Sequence, residues 1–356
     1  MNFFDKDNIS AFEAKEIAQW IAFGPIVFQA ARILRNSGIL STLEENNSVG
    51  LSLSEIAEKV KLPIYGTRVL LESGLGMGLV ISKNEKYQLS KTGMFILNDE
   101  LTRINMDFVH DVCYKGLFNL DKSIENGKPE GLKELGAWPT IYEGLSQLPE
   151  HIQKSWFSFD HFYSDIAFPH VLAHVFKNGV KKILDIGGNT GNWAIACAQY
   201  APDIQITIMD LPGQLDIASK KIEEAGIGKQ VSFVSANILD KGQNFPEGYD
   251  AIWMSQFLDC FSEEEIISIL KRCHTALSDD GSVFILETFW DRQKFKVASF
   301  CLQQTSLYFT AMANGNSQMY HSETFINCIH KAGLQISEQI DNIGLGHTLL
   351  KCKKGK

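Results

Sequence analysis

Between Lys181 and Cys352, short apolar runs alternate with helical stretches, and this alternation constrains the fold more than any other feature of the chain. Ile183 to Ile186, Ile204 to Met209, Val231 to Val234, Tyr249 to Met254 and Val283 to Glu287 read as strands. Asn192 to Tyr200, Leu215 to Ala225, Glu263 to Leu277, Phe295 to Ala313 and Glu323 to Ala332 read as helices. Repeated strand–helix units imply a parallel sheet with helices on both faces. Leu334 to Ile340 and His347 to Cys352, separated by a glycine-rich turn, suggest a closing hairpin with one antiparallel strand, giving seven strands in all. The fold class is therefore α/β.

The first hundred residues follow a different pattern. Ile17, Ile21, Ile26, Val27, Ala30, Leu34, Ile39 and Leu40 are spaced for helices, and Ser52 caps a further one ending near Val60. A helix from Thr67 to Leu79 precedes two short strands around the turn Lys83-Asn84-Glu85-Lys86. Helix, helix, helix, wing is a winged-helix pattern. Its third helix carries Arg68, offset by Glu72, and is otherwise apolar and glycine-rich. That face suits packing against protein rather than DNA. The net charge of −9 argues the same way against nucleic acid. Residues 101–180 are helical and aromatic-rich, and different members suit core packing and domain docking or one wall of an apolar pocket. The expected division is thus 1–100, 101–180 and 181–356.

In a doubly wound sheet, ligands bind beyond the carboxyl ends of the strands where the winding direction reverses. The first strand ends in Asp185-Ile186-Gly187-Gly188-Asn189-Thr190-Gly191. Glycines there allow a sharp turn and a close approach of backbone to ligand. The spacing differs from the G-x-G-x-x-G dinucleotide pattern. The second strand ends in Asp210, nineteen residues after Gly191, where an acid can grip both hydroxyls of a ribose or, alternatively, cap the helix that follows.

Three segments together carry a family resemblance: the glycine loop, Met209-Asp210-Leu211-Pro212, and Ser262-Glu263-Glu264-Glu265 leading to Ile269-Leu270-Lys271-Arg272-Cys273. With them the chain resembles the class I S-adenosylmethionine-dependent O-methyltransferases, in the plant-type (caffeate and hydroxyindole) small-molecule branch, as a bacterial member. The resemblance implies a Rossmann-like seven-stranded methyltransferase sheet with an N-terminal winged-helix dimerisation domain. It implies a homodimer, a small aromatic or quinol-like acceptor, and S-adenosylhomocysteine as product.

It also assigns positions. Asp185, Gly187, Gly188, Asn189 and Gly191 would surround the methionine part of the cofactor, and Asp210 the ribose. Leu211, Ile238 and Ser255 would complete that site. Asn237 stands where the family has an acid beside the adenine, and Phe261 where it has a tryptophan against the adenine face. The catalytic histidine of the family is replaced by Asp259. Glu287 matches a glutamate that orients the base, and Met319 replaces a second one. Asp259 is left with three roles: a base of raised pKa, a group that orients the acceptor, or a cap for the helix at Ser262. His161, His170 and His321 are the other candidate bases. For the acceptor pocket the expected lining is Phe159, Phe162, Tyr163, Phe300, Gln304 and Met312.

Competing readings are N- or C-methylation on the same fold, a non-catalytic winged-helix regulator that senses the cofactor, and a NAD-dependent dehydrogenase. No metal site is expected, because the seven cysteines form no C-x-x-C pair. Unpaired cysteines and the lack of a secretory or membrane-spanning segment point to the cytoplasm.

Overall fold

The computed structural model describes residues 3–355, and the chain divides into two units, residues 4–107 and 108–355. In the first, helices Ala11–Ala22, Gly24–Asn36, Ile39–Glu45, Leu53–Val60 and Ile64–Gly76 precede a hairpin of β1 (Val80–Lys83) and β2 (Lys86–Leu89). Ser52 and Glu55 form a reciprocal capping box that starts the fourth helix. Leu34, Ile39, Leu40, Leu43, Ile56 and Leu71 are fully buried and form the core of this unit. The first helix contributes nothing to it and has no buried residue. Helix spacing there is correct, but the apolar side chains Phe12 and Ile21 stay 70% and 73% exposed.

The second unit is built on the expected seven strands. They are β3 (Lys182–Ile186), β4 (Gln205–Asp210), β5 (Val231–Ser235), β6 (Tyr249–Ser255), β7 (Leu277–Thr288), β8 (Leu334–Ile343) and β9 (His347–Lys354), in the spatial order β5-β4-β3-β6-β7-β9-β8. β9 alone runs opposite to the other six strands. The winding direction reverses between β3 and β6. Successive residues of the central strands feed opposite faces: Ile252 and Met254 enter one core, Ala251 and Trp253 the other.

Three boundaries differ from expectation. The stretch 108–180 is not a separate region. Phe108, Val112, Ile141, Ile152 and Trp156 share one core with Leu302, Tyr308 and Phe309 of the second unit. β7 starts at Leu277 rather than Val283, because Leu277 pairs with Tyr249 across a register shift. The long helix expected from Phe295 to Ala313 ends at Tyr308 and continues as a π-turn, Phe309–Ala313. No single helix among the described residues is long and apolar enough to cross a membrane.

Candidate active site

The ends of β3, β4 and β6 open into a cavity of about 260 Å³, far larger than ordered water requires. The glycine loop forms its floor. Gly187 has φ +71, and a Cβ there would overlap the Phe257 ring. The loop and the turn after β6 therefore touch without an intervening side chain. Asn189 adopts φ +49, a left-handed conformation that asparagine tolerates better than most residues. Its amide donates to Asp210 Oδ2 (2.8 Å) and its Nδ2 donates to Asp160 Oδ2 (2.9 Å). Asp210 Oδ1 accepts from the Leu211 amide (2.7 Å). Asp210 does not cap the next helix, which begins at Pro212 with no side-chain cap.

Charge burial dominates the electrostatics. Burial raises Asp210 to a pKa of about 6, against the pull of its two amide donors. Asp185 is also pushed up, by burial and then by the Asp210 charge. Asp160 reaches about 6, chiefly by burial. Seven carboxyl groups line the cavity (Glu143, Asp160, Asp165, Asp185, Asp210, Asp259 and Glu265), and no lysine or arginine among the described residues does.

Asp259 lies in a short 3-10 turn, Leu258–Cys260, and is only 4% exposed. Burial raises its pKa to about 7. It is not the helix cap: Ser262 caps Glu263–Ala276, in a capping box with Glu265. Glu287 does not line the cavity. Its Oε1 accepts from the amides of Phe257 (3.1 Å) and Leu258 (2.8 Å), so it pins the turn that carries Asp259. Burial and the neighbouring Asp259 charge both raise Glu287.

Of the residues expected around a cofactor, Asp185, Gly187, Gly188, Asn189, Asp210, Leu211, Asn237, Ile238, Ser255 and Phe261 line this one cavity, while Gly191 sits just off it. Several of their polar atoms are buried without a partner: Asp185 Oδ2, Asn189 Oδ1 and Ser255 Oγ, joined by Gln214 Oε1 and Trp193 Nε1. Native structures rarely leave so many buried polar atoms unmatched, so the site fits a polar ligand such as the methionyl-ribosyl part of S-adenosylmethionine.

The acceptor lining is only partly as expected. Phe159 lines the cavity, but Phe162, Tyr163, Phe300, Gln304 and Met312 do not. On the helix Glu150–Asp165, the cavity face carries Trp156, Asp160 and Ser164 at intervals of four. Phe162 and Tyr163 fall on the flank, packed edge to face on each other. On Lys296–Tyr308, the outward stripe is Phe300, Gln304 and Leu307, and Thr305 and Tyr308 face inward. The π-turn carries Met312 past the cavity and into the core beside Gly116. Sequence reasoning missed Trp156, Asp160, Tyr308 and Gln256, and the i, i+4 row from Trp156 was the available signal. His161 lines the cavity with Nε2 3.1 Å from Thr190 Oγ1, whereas His170 and His321 do not.

A model of a Dimerisation2-like domain matches residues 15–87, and a model of an O-methyltransferase domain matches residues 148–335. L-tyrosine C(3)-methyltransferase of Streptomyces lavendulae is 26% identical over 318 residues, spanning 88% of this chain and 85% of its own. The 3-hydroxy-5-methyl-1-naphthoate 3-O-methyltransferase of Streptomyces sahachiroi is 30% identical over 146 residues, 41% of each chain. The solved structure of the S-adenosylmethionine-dependent methyltransferase SibL shares the fold, with a TM-score of 0.70 and 23% identity over 95% of this chain and 98% of that one.

Proposed function

This chain belongs to the O-methyltransferase domain family, and from that premise we propose that Asp259 serves methyl transfer from S-adenosylmethionine to a hydroxyl of a small aromatic acceptor. The protein is an S-adenosylmethionine-dependent methyltransferase. When bound, the cofactor supplies an activated sulfonium methyl group. Asp185, Asn189, Asp210 and Ser255 would hold it, and the carboxylate-rich lining suits its cationic groups. The two phosphates of a dinucleotide would face seven carboxyl groups with no lysine or arginine among the described residues to offset them, which weighs against the dehydrogenase reading.

What supports this reading most is the meeting, in one cavity, of the unmatched polar atoms of the glycine loop with a buried carboxyl titrating at about 7. A phenol loses its proton near pH ~10. An aspartate at its ordinary 3.8 leaves a proton-transfer deficit of about 8 kcal/mol; at about 7 the deficit falls to about 4. Asp259 then takes the hydroxyl proton as the acceptor oxygen becomes the nucleophile. Phe159, Trp156 and Tyr308 form apolar walls that exclude water and align the ring.

The partner we infer for the N-terminal unit is a second copy of the chain. Its helix Ile64–Gly76 exposes Ile64, Tyr65 and Val69 rather than a row of cations, which speaks against the regulator reading. All seven cysteines are free thiols, in keeping with a reducing cytoplasm.

The test is a screen of hydroxylated aromatics and quinols with isotopically labelled methyl donor, with calorimetry of S-adenosylmethionine alongside. Labelled product with at least one phenolic acceptor supports the reading; no heat of binding sinks it. One relative that matches most of this chain is a tyrosine C(3)-methyltransferase. That makes methylation of the ring carbon beside the hydroxyl a second reading, in which Asp259 takes the hydroxyl proton as that carbon attacks the methyl group, and the carbon then sheds its own proton as the aromatic ring and its hydroxyl are restored. The carbon or oxygen position of the label in the product, read by NMR, separates the two.

A further inference from the structure

The turn after β6 holds a strained residue whose side chain the chemistry above does not use. Gln256 has φ +46, a conformation that costs a non-glycine residue about 1 kcal/mol or more. Glycine would serve the backbone at no cost, so the side chain itself must repay the strain. Three contacts hold the residue there. Its amide donates to Leu286 O (2.9 Å), Glu287 clamps the two amides that follow, and its Oε1 lies 3.0 Å from His347 Nε2.

His347 opens β9 and is fully buried. Burial lowers its pKa to about 4, so the ring is neutral at physiological pH. The glutamine oxygen can only accept, so the ring nitrogen it meets, Nε2, carries the proton and donates to it. That contact fixes which end of the carboxamide points where. The oxygen faces His347, and the NH2 has no hydrogen-bond partner among the described residues. Gln256 lines the cavity with Asp259, three residues further along the same turn.

We propose that Gln256 is an acceptor-binding residue whose carboxamide N–H, oriented by His347, donates a hydrogen bond to the acceptor's hydroxyl oxygen. This deepens the methyltransferase reading and rests on it for the identity of the cavity. As negative charge builds on that oxygen, a fixed N–H donor stabilises it while Asp259 receives the proton. His347 is a positioning residue that acts only through Gln256. A pocket built to hydrogen-bond a hydroxyl discriminates against the analogue lacking it, because the donor is then left unpaired.

The experiment uses the full chain saturated with S-adenosylhomocysteine and measures binding of 2-naphthol and of naphthalene by fluorescence titration. Gln256→Met keeps the length of the side chain and removes the donor. We expect it to weaken 2-naphthol about tenfold, to leave naphthalene within twofold, and to leave S-adenosylhomocysteine within twofold. His347→Phe should produce most of the same selective loss, and the double variant should be no worse than Gln256→Met alone. Should Gln256→Met fail to fold, Gln256→Gly relieves the backbone and removes the donor, and the same loss is expected. An unchanged affinity for 2-naphthol in either Gln256 variant overturns the proposal, as does an equal loss for both ligands. The methyltransferase reading fails on a different result, a wild type that forms no labelled product, so the two failures are separable.

Discussion

A carboxyl group becomes a useful base near neutral pH only where its surroundings resist charge, and Asp259 meets that condition through burial. Two consequences can be measured. The acid limb of the wild-type rate profile should rise through about pH 7, because only the ionised carboxylate accepts a proton. Asp259→Asn should lower kcat by at least a hundredfold and remove that limb. The same group sets a pH dependence of stability with the opposite sign from an ordinary salt-bridged aspartate. Its folded pKa lies above the unfolded 3.8, so the native state binds the proton more tightly and stability is lost as pH rises from about 4 to 7. Asp259→Asn should therefore stabilise the protein above pH 7, by up to about 4 kcal/mol, and change little at pH 3.5. Thermal melts at the two pH values check this, and a gain that is equal at both would contradict it. In the proposed reading Asp210 holds the cofactor instead. Each of its oxygens accepts a loop amide and keeps a lone pair for a ribose hydroxyl. Asp210→Ala should weaken S-adenosylmethionine binding at least tenfold by calorimetry, with Asp259 still titrating near 7 in the rate profile.

The elements make this chemistry possible by bringing two backbone turns into direct contact. Gly187 lies under the Phe257 ring, and Glu287 ties down the amides of Phe257 and Leu258 from the neighbouring strand. Glu287→Ala should leave those amides buried and unpaired. We expect a loss of about 2–4 kcal/mol in urea unfolding together with a fall in kcat, because Asp259 loses its seat. Glu287→Gln keeps an oxygen acceptor and should retain most of the stability. Much of this architecture was legible in advance. Apolar runs marked all seven strands, and the Asp185–Gly191 and Asp210 pair marked the switch point. The Ser262-Glu263-Glu264-Glu265 match drew attention to Asp259, which the structure places one turn upstream of that helix. Other features left no local trace. Nothing about a glutamine announces a positive φ, since that conformation is imposed by Glu287 and His347 from other strands. The cavity-facing stripe of an aromatic helix is equally hidden when most of its positions are apolar. Phe159, Phe162 and Tyr163 all looked alike until neighbours chose one. A π-turn also shifts the phase, and it moved Met312 from the expected lining into the core.

At the scale of the whole molecule, the outstanding fact is a helix with no core of its own. Ala11–Ala22 buries no residue, yet it starts with a complete capping box of Ser10 and Glu13. It is locally well made and globally unpartnered. Phe12, Ile17, Trp20, Ile21, Phe23 and Ile26 are all more than 45% exposed along it and the next helix. Large exposed apolar patches on single chains mark interaction surfaces, and the domain model that matches this stretch carries dimerisation in its name. Isolated helices of about twelve residues are marginal in water, so this one needs a partner to persist. Two copies meeting through this patch would cover it reciprocally. Trp20→Glu combined with Ile21→Glu places two charges at the centre of that surface, and neither replaced residue is itself buried. Sedimentation should then show a monomer at concentrations where we expect the wild type to sediment as a dimer. Far-ultraviolet circular dichroism should lose only the few helical residues of the N-terminal segment, because the remaining core, from Leu34 to Leu89, is internal to one chain. A wild type that sediments as a monomer at tens of micromolar would refute the dimer and leave this helix without a physical reason to be apolar.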